Sequence, residues 1–318
     1  MNKDGVFVAN DITISNMEKL SEKQSIYSER RICEIAEIAA EAADYYAEMY
    51  RDGYGVYEIL SIISDGYVSA PLTQHGNALE NNRPAIKEYL KRFCMQDKVI
   101  FAELFLNKLA EAGIVLGEKN FLHEEDGNNT VTYVKNALAD EAYDVFSQDL
   151  SEPRVKYSAT LGDAVKLVSS GEAEYALLPL EERGGARLAA VAELLFKEDL
   201  KINSVTPVFG FEGLADMKYA LVSKHFTVPK ILPEDDRYLE IRIKADVGVS
   251  VSELFAAAES LDSYLYRINT LTFDTEDGSV QYYSVVFRDD GKDFSPLLVY
   301  LTLFSSAYTP IGIYKNLE

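Results

Sequence analysis

The residues best suited to bind a ligand lie in the stretch Pro179-Leu-Glu-Glu-Arg-Gly-Gly185. Arg183 carries a planar guanidinium whose geometry matches a carboxylate. The two following glycines have no side chains, so backbone N–H groups can approach a bound group closely. The stretch therefore predicts contacts to a small carboxylate from Glu181, Glu182, Arg183, Gly184 and Gly185. For Glu181, capping or pairing near the next helix start is an equal alternative.

Apolar spacing predicts the elements that position this stretch. A helix over Leu161–Ser169 precedes a turn at Ser170-Gly171 and a buried strand over Tyr175–Leu180. With a short strand before it and a second helix ending at Phe196, this is a βαβ unit. Ligands bind at the carboxyl ends of strands in such sheets, which is where Pro179–Gly185 lies.

Other reactive side chains form no recognisable pattern. The three histidines, His75, His123 and His225, have no metal-ligand spacing to each other or to the two cysteines. Cys33 and Cys94 lie in helical patterns and are expected to be buried thiols. No phosphate-binding loop or dinucleotide fingerprint occurs, so we expect neither a metal nor a cofactor.

The composition is that of a globular protein and narrows the choice of partners. The 318 residues are 47% hydrophobic, and the net charge is −21 with a pI of about 4.6. Such a charge disfavours nucleic acid and anionic membrane surfaces, since no excess of Lys and Arg can neutralise phosphates. With no secretory signal and no apolar run of membrane-spanning length, a cytoplasmic protein is expected.

Residues 1–120 are predicted to form a helical domain. Ser21-x-x-Gln24 matches a capping box at the start of a long amphipathic helix. A second helix is expected over Gly55–Ile63. A third begins at Pro84 and carries an apolar face to Gly113.

Residues 130–230 read as one α/β lobe. A strand at Val131–Val134 leads to a loop in which Asn136 is the one clear hydrogen-bonding side chain. The predicted order continues with further elements: a helix over Asp140–Phe146, a strand at Arg154–Tyr157, the βαβ unit, and strands at Leu200–Ile202 and Met217–Ser223.

Residues 237–318 read as a βαββαβ unit, the order of a ferredoxin-like sandwich. Arg237–Lys244 alternates as a strand with one buried face, and Ser250 with Glu253 caps the following helix. The remaining predicted elements are strands at Tyr264–Phe273 and Val280–Phe287, a helix at Phe294–Ser305 and a closing strand at Pro310–Tyr314.

The central stretch resembles the prephenate dehydratase family. That family has a helix with Ala-Val and then a G-x-A-D-Y-A-V-L-P-I-E-N-S-x-x-G run. Here these read Ala164-Val165 and Gly171-Glu-Ala-Glu-Tyr-Ala-Leu-Leu-Pro-Leu-Glu-Glu-Arg-Gly-Gly185. The Leu194-Leu195 and Leu200-Lys-Ile202 pairs match the family's next helix and strand. The resemblance implies a reduced lobe of the periplasmic-binding-protein type.

The C-terminal unit resembles the ACT domain that closes prephenate dehydratases. The family's turn and second segment correspond here to Val247-Gly248-Val249-Ser250 and Ile268-Asn-Thr-Leu-Thr272, and its Leu-Gly-x-Tyr end to Ile311-Gly-Ile-Tyr314. The resemblance implies a homodimer, with an amino acid at the seam. The implied effector residues are Val247, Gly248, Val249, Ser250, Asn269 and Thr270.

Departures from the family leave two functions open. No Thr-Arg-Phe motif occurs, and the stretch Lys135–Asp140 lacks the family's glycine loop. These losses favour a catalytically degenerate relative that binds a small carboxylate or amino acid in a regulatory role. Domain order favours an active prephenate dehydratase of phenylalanine biosynthesis. A helical chorismate mutase domain precedes the dehydratase in bifunctional members, but Arg30 and Arg31 fit solvated helix charges better than a mutase pocket.

Overall fold

The computed structural model describes ten stretches of the chain: 11–64, 86–122, 129–182, 187–210, 215–226, 237–245, 250–275, 278–289, 291–305 and 308–315. By their internal contacts these residues divide into two compact units. The first holds residues 11–54 and 86–115. The second holds residues 55–64 and the described residues from 116 onward.

The first unit is helical. It consists of α1 (Asp11–Arg51), α3 (Ile86–Leu90) and α4 (Met95–Glu111), while α2 (Val56–Ser64) belongs to the second unit. The small side chains of Ala39 and Ala42 on α1 are fully buried. Tyr46 meets Phe105 edge to face at 5.8 Å between ring centroids. Helix α1 and helix α4 thus bury their apolar stripes against each other.

Three predictions for this unit are wrong. The long helix begins at Asp11, so Ser21 lies inside it rather than at its start. The helix expected from Pro84 to Gly113 is divided, because the Asp97 carboxylate accepts a hydrogen bond from the Cys94 N–H (3.1 Å) and starts a new helix. Cys33 and Cys94 are exposed rather than buried, one on the polar face of α1 and the other in the turn before α4.

An α/β lobe opens the second unit. Its five-stranded sheet has the order β2-β1-β3-β5-β4. Strand β1 is parallel to β2 and β3, while β5 runs antiparallel to β3 and β4. The elements are β1 (Thr130–Val134), α5 (Ala137–Phe146), β2 (Arg154–Ser158), α6 (Leu161–Ser169), β3 (Tyr175–Glu182), α7 (Ala189–Lys197), β4 (Lys201–Val208) and β5 (Met217–Ser223).

The helices of the lobe cover both faces of its sheet. On one face Phe146 of α5 packs in a cluster with Tyr133 and Leu177. On the other, Val165 of α6 and Leu195 of α7 pack in a cluster with strand residues of β3, β4 and β5. Strand β5 follows β4 in the chain, with residues 209–216 between them. The lobe therefore has a single sheet, as the reduced lobe predicted from the sequence requires.

The C-terminal part is a ferredoxin-like sandwich, as predicted. Its antiparallel sheet has the order β7-β8-β6-β9. Ser250 caps α8, because its hydroxyl accepts a hydrogen bond from the Glu253 N–H. The elements are β6 (Arg237–Lys244), α8 (Val251–Ser260), β7 (Ser263–Thr275), β8 (Gly278–Asp289), α9 (Ser295–Phe304) and β9 (Tyr308–Lys315).

The two sheets of the second unit meet through β4 and β9. Tyr238, Val286 and Tyr314 from the C-terminal sheet join the same apolar cluster as α6 and α7. At Gly312 the backbones are so close that a Cβ atom would lie 2.2 Å from the Ile202 carbonyl oxygen. Glycine is therefore required at position 312 by close approach.

Candidate functional site

A pocket of about 340 Å³ opens at the carboxyl ends of the parallel strands in the lobe. Val134 ends β1, Thr160 follows β2, Pro179 lies near the end of β3, and Tyr219 reaches in from β5. The connection after β1 leads to a helix on one face of the sheet, and the connection after β2 leads to a helix on the other. Crevices of this kind are where open α/β sheets bind ligands.

The polar side chains of the pocket also begin its two helices. Asn136 caps α5: its Oδ1 accepts from the Ala139 N–H at 2.9 Å. Its Nδ2 donates to the Val134 carbonyl at 3.1 Å. Thr160 caps α6 in the same way, accepting from the Asp163 N–H at 3.1 Å. Two helix N-termini therefore face the pocket with their side-chain caps already in place.

Tyr219 supplies the third polar group of the pocket. Its side chain is buried, and its hydroxyl donates to Asn136 Oδ1 at 3.5 Å, the long limit of a hydrogen bond. Burial raises the pKa of Tyr219 above the ordinary tyrosine value, against a smaller opposing effect of Asn136. The hydroxyl therefore stays protonated at neutral pH and is available as a donor.

The rest of the pocket lining is apolar. No carboxylate, imidazole or amine is among the described residues that line it. Such a lining can bind and orient a small molecule with an apolar body, but it lacks a general acid or base that titrates near neutral pH. The apolar lining residues are Val134, Ala139, Ala159, Leu161, Leu177 and Pro179.

Glu181 lies two residues beyond the pocket strand's Pro179, in a buried ionic cluster. Its carboxylate accepts hydrogen bonds from both terminal nitrogens of Arg267, one of them at 2.8 Å, and from Arg187 at 3.3 Å. Arg187 also binds Glu240 in a bidentate manner, at 2.7 and 2.9 Å. Glu181, Arg187 and Glu240 are almost fully buried, so the cluster ties the end of β3 to strands β6 and β7.

The electrostatics of this cluster favour the ionised carboxylate of Glu181. Burial opposes ionisation, but the hydrogen bond from Arg267 and the charges of Arg187, Arg267 and Lys218 outweigh it and lower the pKa of Glu181. Of the two alternatives open for Glu181 in the sequence, the structure shows pairing. A contact to an added ligand stays a prediction.

The other predicted ligand residues of this stretch are less well defined. Glu182 is exposed and pairs with Met217 in the sheet. Arg183, Gly184 and Gly185 lie outside the described residues. Of the predicted ligand residues described in the structure, Asn136 lies in the pocket, whereas Glu181 and Glu182 are not part of its lining.

The described effector residues lie at two elements of the C-terminal domain: Ser250 at the start of α8, and Asn269 and Thr270 on β7. Ser250 is occupied in capping α8, and Val247, Gly248 and Val249 lie outside the described residues. Thr270 is exposed on the edge strand β7. The amide nitrogen of its neighbour Asn269 is buried and has no hydrogen-bond partner among the described residues.

Sequence reasoning missed five of the residues that build these sites. Thr160 had a usable signal, since Thr160-Leu-Gly-Asp163 directly after a strand is a helix-capping pattern. Glu240 also had one, because a carboxylate within an apolar alternating strand needs a buried partner. Tyr219, Arg187 and Arg267 carry no local signal.

No three His, Cys, Asp or Glu side chains within the described ranges are grouped as metal ligands. Across those same ranges, no helix combines the length and apolar character needed to cross a bilayer.

Comparison with known proteins gives likenesses of fold. No family model and no curated protein matches the chain. A prephenate dehydratase from Streptococcus mutans is 12% identical over 59% of this chain and 99% of its own, with a TM-score of 0.48. A protein described as a novel type of quorum quenching acylase is 16% identical over 59% and 96%, with a TM-score of 0.42.

A further likeness is to the prephenate dehydratase from Arthrobacter aurescens, solved in complex with L-Phe. It is 12% identical over 58% of this chain and 89% of its own, with a TM-score of 0.44. At these levels of similarity the function has to be argued from the geometry of the site.

Proposed function

We propose that this protein binds a small carboxylate or amino acid in the pocket at the ends of β1, β2 and β3. In this proposal it is a catalytically degenerate relative of the prephenate dehydratases and acts in a regulatory role. One observation carries the proposal: the described pocket lining offers three neutral hydrogen-bonding side chains within apolar walls, and no group that titrates near neutral pH.

The pocket suits an amino-acid-sized ligand. A volume of about 340 Å³ is at the small end of the range for ligand pockets. The carboxylate would lie near the caps Asn136 and Thr160, where two helix N-termini favour negative charge. The hydroxyl of Tyr219 would donate to the same group, and Leu177 and Pro179 would contact the apolar body.

The C-terminal domain is proposed to serve as an ACT-like module that pairs with a second copy and binds an effector. Its edge strand β7 exposes Tyr264, Leu265, Tyr266 and Ile268, each about 40–50% accessible. The unpartnered amide nitrogen of Asn269 on the same strand supports a polar ligand there.

The second candidate is an active prephenate dehydratase, with or without chorismate mutase activity. The position of the pocket, at the carboxyl ends of the parallel strands β1, β2 and β3, favours it. The lack of a Thr-Arg-Phe motif and of a titratable group in the described lining argues against it.

Calorimetry with the purified chain tests the proposal, using L-phenylalanine, L-tyrosine, phenylpyruvate and prephenate as ligands. We expect binding of at least one. Tyr219→Phe should weaken it by roughly 13- to 160-fold, the worth of a hydrogen bond to a charged group. Ala159→Leu, at the exposed rim, should block the pocket without disturbing the core. Tyr89→Phe removes an exposed hydroxyl in the first unit and should change nothing.

Two results would decide against the proposal. Failure of all four compounds to bind, or binding that Ala159→Leu leaves unaffected, would show that the pocket does not hold these ligands. Conversion of prephenate to phenylpyruvate at ordinary enzyme rates, on the order of 1–1000 per second, would establish the enzyme instead.

A further inference from the structure

Two buried cations lie where the lobe meets the C-terminal sheet. Lys201 begins β4 and Arg242 lies on β6, and each is 8% exposed. Both approach the same oxygen, Asp199 Oδ1: Lys201 Nζ at 2.9 Å and an Arg242 Nη atom at 3.7 Å. The Asp199 side chain itself is 64% exposed. One solvent-facing carboxylate is thus shared by two buried positive charges.

The guanidinium of Arg242 lacks hydrogen-bond acceptors among the described residues around it. Its guanidinium lies over the ring of Phe196 at 4.7 Å and over that of Tyr282 at 5.7 Å. The Nε atom is buried and has no hydrogen-bond partner among the described residues. The contact to Asp199 at 3.7 Å is beyond hydrogen-bond distance. A buried charged donor without an acceptor is destabilising, so this arrangement indicates a missing partner.

Neighbouring carboxylates are engaged by other groups. Glu240, on the same face of β6, is held by Arg187. Glu198, in the turn before Asp199, accepts a hydrogen bond from Ser169 at 2.7 Å. Burial lowers the pKa of both Lys201 and Arg242 despite the nearby Asp199. Two buried cations thus approach one carboxylate, that of Asp199.

We propose that Lys201 and Arg242 form a binding site for a small oxyanion. The guanidinium presents a planar fork suited to a phosphate or carboxylate, and the ammonium adds a point charge beside it. The two cations converge from different sheets, so a bound oxyanion would bridge lobe and C-terminal domain. The aromatic rings beside Arg242 exclude water from one side of the contact. The site is separate from the pocket at the ends of β1, β2 and β3.

The test uses inorganic phosphate and, separately, acetate as probes of the intact chain at constant ionic strength, with chloride as the balancing anion. Saturable binding is expected for at least one probe by calorimetry. Arg242→Met keeps an apolar side chain against the rings and should weaken binding at least 10-fold. Asp199→Asn removes the competing carboxylate and should strengthen binding by about fivefold, the value of one charge at 4 Å in water.

Asp262→Asn is the matched control. Asp262 has the same left-handed backbone as Asp199, with φ of 57° against 48°, which asparagine tolerates. It is also exposed and paired with a lysine, Lys292. Asp262→Asn changes the net charge as much as Asp199→Asn does, but it removes no carboxylate from Lys201 or Arg242. It should therefore leave anion binding unaltered.

The proposal fails if neither probe binds the native chain or the Asp199→Asn variant above the chloride baseline. It also fails if Arg242→Met binds as well as the native chain. Because Asp199 is on the surface, its variant remains informative even if Arg242→Met does not fold. Ala159→Leu should not affect this site, which separates it from the pocket of the proposed function.

Discussion

Arg187 is the residue whose loss should damage the second unit most clearly. It donates to both oxygens of Glu240, at 2.7 and 2.9 Å, and to Glu181 at 3.3 Å. Its side chain is 4% exposed and that of Glu240 is 1% exposed. Replacing it by methionine preserves apolar volume but leaves a buried carboxylate without its cation, which typically costs about 3–5 kcal/mol.

The hydrogen bonds that remain place the expected cost at the lower end of this range. Glu240 still accepts from the Ser284 hydroxyl at 2.7 Å and the Tyr314 hydroxyl at 3.0 Å. Glu181 still accepts from Arg267. We therefore expect Arg187→Met to lower the free energy of unfolding by about 3 kcal/mol.

A double-mutant cycle isolates the charge pair from the loss of packing. Glu240→Gln removes the negative charge and keeps hydrogen-bonding atoms. The double variant with Arg187→Met should be more stable than the sum of the two single effects by ~2–3 kcal/mol. The assay is urea unfolding followed by circular dichroism, with hydrogen exchange at β3 and β6 assigning the loss to this unit.

Lys108→Met provides the control, because Lys108 forms an exposed ion pair with Glu111 in the first unit. It should cost no more than ~1 kcal/mol. If Arg187→Met also cost less than ~1 kcal/mol, or if the cycle gave a coupling near zero, the buried pair would not hold the two parts of the second unit together.

Three further results are expected. Folding lowers the pKa of Glu181 below its ordinary value of 4.5, so its ionised carboxylate stabilises the folded chain above pH 4.5. This stabilisation is lost as the pH falls through the pKa of the folded state. The free energy of unfolding, measured in urea from pH 7 to pH 3, should therefore fall less steeply with pH in Glu181→Gln than in the native chain. Gly312→Ala should destabilise the chain by over ~2 kcal/mol in thermal unfolding because its Cβ would clash with the Ile202 carbonyl, whereas Gly55→Ala, with no atom nearby, should be tolerated. Ile268→Lys on the exposed edge strand should shift a homodimer to monomer in sedimentation at tens of micromolar, and a native chain that is already monomeric there would contradict the proposed pairing.

The order of the elements in the second unit could be predicted because each one carries its own local signal. The helix predicted at Leu161–Ser169 and the strands predicted at Met217–Ser223 and Arg237–Lys244 have the same bounds in the structure. Their periodicity, caps and turns lie within about ten residues. The ferredoxin-like order follows from the same signals, since βαββαβ has a preferred arrangement.

The helical unit was predicted less well because its signals conflict locally. Ser21-x-x-Gln24 is a sound capping pattern, yet it lies within a helix that begins at Asp11. The apolar pattern from Pro84 to Gly113 continues across a break between two helices. The hydrogen bond from the Cys94 N–H to the Asp97 carboxylate starts the second helix and so sets the position of the break. The spacing of apolar residues gives no sign of such a cap.

The candidate site was only partly predictable because its walls come from distant parts of the chain. Asn136 follows a strand directly, so its place at the carboxyl edge was accessible to sequence reasoning. Tyr219 enters the pocket from β5, which lies between β3 and β4 in the sheet although it follows both in the chain. No pattern near Tyr219 contains that pairing.

Strand β6 shows why the contact between lobe and C-terminal domain escaped prediction. Its alternation indicates one apolar and one charged face, and a charged face is normally solvated. Here all six inner residues of the strand are buried, because the charged face packs on the lobe. The alternation of apolar and charged residues along a strand indicates which residues share a face. It does not indicate whether another part of the protein covers that face. Once covered, Glu240 needs a cationic partner, and this is Arg187. Arg242 has the Asp199 carboxylate only at 3.7 Å, and its Nε has no hydrogen-bond partner among the described residues. Apolar contacts tolerate sliding, whereas bidentate ion pairs do not. The charged pairs therefore fix the position of the C-terminal sheet on the lobe. Any sliding of the sheet along the lobe has to break the Arg187–Glu240 ion pair first.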